Sequence, residues 1–185
     1  FSARLKPQHH VFAAFAIYSF ALGQIFPRLP DIKRAMGIEE GALGLALIGA
    51  PVGTLISLTL AAPYIAKLGH KTAILGLLPS MALLYAIAIH ASGPLALFLL
   101  LIPVGLPLGA TEVIVNVEAD RAEAFLGYRI MNRAHAFWSF GFFGAGLFGA
   151  VMAQIGVSPQ LQLAIAVPLI GMAVWLLLAD FKPAP

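Results

Sequence analysis

Glu112 is the only charged residue between Leu95 and Val117, a stretch that reads LALFLLLIPVGLPLGATEVIVNV. A carboxylate in so apolar a run costs free energy unless it has water, a partner or a proton, so it marks a candidate functional site. Gly105, Gly109, Glu112 and Asn116 follow one another at spacings of four, three and four, which places them along one helix face. That face is small and polar, suited to another helix or a wet cavity, while Leu106, Leu108, Val113 and Val115 look elsewhere. A carboxylate held there can take up and release a proton. The bland alternative is an acid paired inside a helix interface.

The other candidates are sparser. His135 can relay or sense protons near neutrality, or simply hydrogen-bond at an interface. Ser139 lies one helical turn beyond it, but a Ser and a His on one helix do not make a hydrolase. A nucleophile needs a base aimed at it and an oxyanion site. Asn116 offers hydrogen bonds to a solute or to a second helix, Trp138 a stacking platform or an interfacial anchor, and Gln24 a polar group in an apolar span. Arg28 reads as an anchor or a loop partner of Asp31. Glu118, Asp120 and Glu123 read as a solvated acidic face balanced by Arg121 and Arg129.

The elements that must hold these residues are apolar helices. The chain is 61% hydrophobic and 10% charged, against about 25% charged in a soluble domain. With no cysteine there are no disulfides and no thiolate metal sites or nucleophiles. The basic residues are scattered, so the net charge of +3 does not indicate nucleic acid. No metal cluster, phosphate-binding loop or cofactor motif is legible. The pattern predicts an all-α membrane protein, one six-helix bundle over 1–185 with spans near 11–28, 42–65, 72–91, 95–117, 134–155 and 161–178. Pro27 and Pro30 end the first span, Pro103 and Pro107 kink or thin the fourth, and Gly49 with Gly53 forms a small-residue contact face on the second. Glu118 to Arg133 reads as the longest polar segment.

Six crossings put Arg4, Lys6, Lys67, Lys71, Arg121, Arg129, Arg133 and Lys182, eight of the eleven Lys and Arg, on one side. The bias of basic residues makes that side, and both termini, cytoplasmic. Spans one to three and four to six are three-helix units offset by about 85 residues. An odd number of crossings inverts the second unit relative to the first, an arrangement common in secondary transporters. The chain begins at Phe1 and stops soon after its last span, which reads as a fragment.

Three stretches resemble the N-terminal six-helix half of a major facilitator superfamily transporter. The first is Arg28 to Gly37 followed by Gly41-Ala-Leu-Gly-Leu. The second is Ala62 to Lys71, at the place of the superfamily's loop between helices two and three. Lys67, Gly69 and Lys71 fit that loop's pattern, whereas Ala62, Ala66 and His70 depart from it. The third, Glu112-Val-Ile-Val-Asn116 with Met131 to Gly141, is similar to the fucose-permease-like branch.

The resemblance implies a proton-coupled, alternating-access carrier of a small polar, sugar-like solute in a bacterial inner membrane. Its pathway would include Glu112, Asn116, His135, Trp138 and Gln24. It would work with the lipid bilayer, protons, the solute and a second six-helix half, without cofactor, metal or nucleic acid, and would not be an enzyme. The branch's acidic residue in helix one has no counterpart, since Ile25 and Phe26 stand there. The competing classes are a six-span membrane enzyme and a non-transporting half-molecule.

Overall fold

The computed structural model describes residues 6–183, and within them the chain is helical with no strand. Six helices are long and apolar enough to cross a membrane. The first crossing is α1 (Pro7–Gly23). A 3-10 turn at Phe26–Arg28 joins it to α2 (Leu29–Met36). The second is built of three pieces, α3 (Glu40–Leu47), α4 (Gly49–Leu60) and α5 (Ala62–Leu68). The remaining four are α6 (His70–Ala88), α7 (Pro94–Leu126), α8 (Met131–Gln154) and α9 (Pro159–Leu178).

Punctuation residues set most of these limits. Pro7, Pro30, Pro94 and Pro159 open their helices from the first turn, where a missing N–H costs no hydrogen bond. Ser158 caps α9 by accepting from the Leu161 N–H at 3.2 Å. Gly37 and Gly127 close α2 and α7 in the left-handed conformation that only glycine adopts without strain.

One expectation needs correction. The fourth helix does not end at Val117 but continues unbroken to Leu126, so more than half of the supposed polar segment, Glu118 to Arg133, is helix. Ala119 and Ala122 face the core there, and good helix formers fill the rest of the turn. Pro103 and Pro107 lie inside this continuous helix. Arg4, used in the charge bias, lies outside the described residues.

The packing order follows the repeat. α4 packs mainly on α7, α8 mainly on α1, and α6 on both α7 and α9. Each three-helix unit therefore lends its middle helix to the other unit's first. Glycine lets the two lent helices come close. A Cβ on Gly53 would overlap the Ile102 carbonyl, one on Gly141 the Ala16 carbonyl. Small residues are the usual device for helix approach in lipid, where apolar burial offers no drive. The outer faces remain apolar: Phe140, Phe143 and Trp175 are each more than 60% exposed.

Candidate solute and proton site

α7 carries the two residues that the spacing placed on one face, and the structure joins them. The Asn116 Nδ2 donates to the Glu112 backbone carbonyl at 2.8 Å and to its Oε1 at 3.0 Å. The Glu112 side chain is half-buried and turned toward the bundle rather than lipid. Tyr18 of α1 neighbours this carboxylate, and Tyr85 of α6 neighbours Tyr18 in turn. Tyr18 and Tyr85 are 2% and 3% exposed. On the neighbouring face of α7, the Thr111 Oγ1 is fully buried and has no hydrogen-bond partner among the described residues. Two helices, α7 and α1, thus bring polar groups to one carboxylate. Sequence reasoning missed both tyrosines, because nothing in a single helix's pattern shows which neighbour faces it.

One turn before Glu112, Leu108 lines a hollow of about 590 Å³. Leu22, Ile25 and Phe26 of the first crossing wall one side, Ala50, Pro51, Thr54 and Leu55 the other. Tyr85 reaches in from α6 behind them. The only hydroxyls on its wall are those of Thr54 and Tyr85, and Thr54 donates to the Ala50 carbonyl at 3.0 Å.

Gln24 sits elsewhere. It is 1% exposed, donates to the Phe20 carbonyl at 3.2 Å, and accepts from Gln162 of α9 at 3.4 Å. Gln162 in turn accepts from the Arg28 Nε at 2.5 Å. Arg28, 2% exposed, also donates to Asp31 at 2.9 Å and to the Val157 carbonyl. This network ties the first crossing to the sixth, and its polar atoms face each other. Arg28 is accordingly a buried cross-link as well as the Asp31 partner the sequence suggested.

His135 and Trp138 lie on α8, against the first crossing. The exposed His135 ring stands edge-on to Phe15 at 5.3 Å, and Trp138 stacks on Phe142 at 5.3 Å and 6°. Among the described residues no hydrogen bond or ion pair joins either to Glu112.

In the loop between the second and third crossings, Gly69 makes the turn with φ +77°, Lys67 is exposed and Lys71 half-buried. The functional surprise is His70, whose Nδ1 pairs with Glu118 Oε1; Arg121 lies 3.4 Å from the same oxygen. Glu118 is therefore not on a solvated face but 2% exposed. It falls one heptad after buried Thr111, on the stripe through Ile114 and Val115, so helical period alone marked it. Glu123 is likewise engaged. Its Oε1 accepts from the N–H groups of Ile130 and Met131 at 2.6 and 2.7 Å, capping α8 from the end of α7.

Comparison with known proteins agrees with this architecture. The chain is 26% identical over 147 residues to an uncharacterized MFS-type transporter of Yersinia pestis, covering 79% of this chain and 38% of that protein. It is 28% identical over 141 residues to an uncharacterized transporter of Sinorhizobium fredii, covering 74% and 36%. It thus spans less than two fifths of the length of these curated relatives. No known family profile and no solved structure matches it. The likeness to the major facilitator superfamily read from the sequence is borne out.

Proposed function

We propose that this chain is the N-terminal six-helix half of a secondary active transporter that moves a small solute with polar groups by alternating access. The observation that carries it is Glu112, a half-buried carboxylate in an apolar span, bonded by Asn116 and neighboured by Tyr18. An acid in that setting alternates between a protonated and an ionised form as its surroundings turn from dry to wet. Relatives named as transporters support the same reading.

In this mechanism the bundle rocks as a body against a second six-helix half, with the solute between them near the midplane. Glu112 takes up or releases the proton that couples transport to the gradient. Asn116 orients the carboxylate by donating to it and stands within reach of the solute. His135 and Trp138, at the start of α8, line the approach. The fully engaged Gln24 holds the first and sixth crossings together instead of meeting the solute. The basic end of the bundle, with Lys67 and Lys71, faces the cytoplasm of a bacterium whose inner membrane holds the protein. No catalytic step is required, and the driving force is an ion gradient.

The test is uptake into proteoliposomes of the full-length protein under an imposed pH gradient. Glu112→Gln should abolish the gradient-driven component and leave exchange under equal pH. Retention of an unchanged pH profile by that variant would refute the proton role.

A further inference from the structure

The charge balance of the membrane-spanning segments restricts what the site can bind. Across 11–27, 42–65, 72–89, 95–117, 136–155 and 161–178, Glu112 is the only Asp, Glu, Lys or Arg. Within this half, no Lys or Arg of those segments stands ready to neutralise an anion. Arg28, the nearest one at the first crossing's end, is occupied by Asp31, Gln162 and the Val157 carbonyl.

A hollow that begins one helical turn from Glu112, at Leu108, restricts the solute further. Its volume of about 590 Å³ is that of a small-molecule pocket. Its walls are leucine, isoleucine, proline, alanine and Phe26, with Tyr85 at the back. A sugar brings many hydroxyls, and burying each without a partner costs free energy. Here one wall hydroxyl, that of Thr54, already serves the Ala50 carbonyl. An apolar body fits these walls. From Leu108 on the wall, one helical turn leads to the carboxylate.

Resting on the reading of Glu112 as the pathway residue, we infer that the solute is an organic cation with an apolar body. The body lies in the hollow between α1, α4 and α7, and the positive pole faces Glu112. This narrows the sugar-like expectation to a different chemical class. It also fixes the ionic logic: one carboxylate holds either a proton or the solute's charge, so the two exchange.

The experiment is equilibrium binding to the full-length protein in nanodiscs, with empty discs subtracted. The probes are tetraphenylphosphonium and tetraphenylborate, equal in size and opposite in charge. Saturable phosphonium binding is expected, at least tenfold weaker in Glu112→Gln and recovered in Glu112→Asp. Leu55→Trp, which fills the hollow away from the carboxylate, should weaken it as well. Four results overturn the inference: equal binding of tetraphenylborate, phosphonium binding unchanged in Glu112→Gln, unchanged binding in Leu55→Trp, or displacement by methyl fucoside. Displacement by uncharged dodecanol as readily as by unlabelled phosphonium would make the hollow a lipid seat and overturn it too. Binding is read without transport, so a protein that binds the phosphonium but moves nothing refutes the carrier reading and leaves this one standing.

Discussion

Two polar clusters lie within the apolar bundle, and they are built on opposite plans. Around Arg28 the polar atoms answer one another: guanidinium to Gln162, Asp31 and Val157, and Gln162 to Gln24. Around Glu112 the carboxylate is half-buried, and among the described residues its one side-chain hydrogen bond comes from its own helix. The first cluster is closed and ties helices together. The second keeps bonding capacity in hand, which is what a site that exchanges a proton or a solute requires. Polarity in a membrane span is therefore not itself a sign of function; unfilled capacity is.

Substitutions can break that contrast, and the greatest loss is expected at the closed cluster. Arg28→Ala strips a buried charge from partners left behind, and should cost about 3–5 kcal/mol in denaturant titration of the detergent-solubilised protein. Gln162→Leu leaves the Arg28 Nε and the Gln24 Oε1 without their partner, for a cost of about 1–3 kcal/mol. Glu112→Gln should lie within about 1 kcal/mol of wild type, the range of an ordinary hydrogen bond, while gradient-driven uptake disappears. A large stability loss at Glu112 with intact uptake would reverse the assignment of the two clusters. The smallest effect calibrates the scale. Gly146→Ala, in the middle of α8 where a Cβ meets nothing within 4 Å, should stabilise by about 0.5–1 kcal/mol. A thermal melt would show it as a modest rise in Tm.

The sequence carried the architecture because bilayer thickness writes itself into the length of apolar runs. Gly49 and Gly53 also announced their packing role, since lipid leaves few other reasons for small residues at that spacing. Glu112 and Asn116 were legible as a pair because both lie on one helix, where period determines proximity. Tyr18, Tyr85 and the Arg28 cluster were not, because they depend on which helices become neighbours. Gln24 shows the hazard: in one dimension it looks like a pathway residue, and only Gln162, 138 positions away, reveals that its amide is engaged. Glu118 misled for a different reason. The stretch after Val117 is polar by composition, yet helical period continues through it to Leu126, and the His70 that meets Glu118 comes from another loop.

The hold of Glu123 on the N–H groups of Ile130 and Met131 has a mechanical consequence. The residues between α7 and α8 are too few and too firmly pinned to act as slack. A twist of α7 about its long axis is therefore handed to the first turn of α8, carrying His135 and Trp138 with it. The rod that bears Glu112 and the rod that bears those two rings meet at a clasped elbow, so a turn of one has a lever on the other.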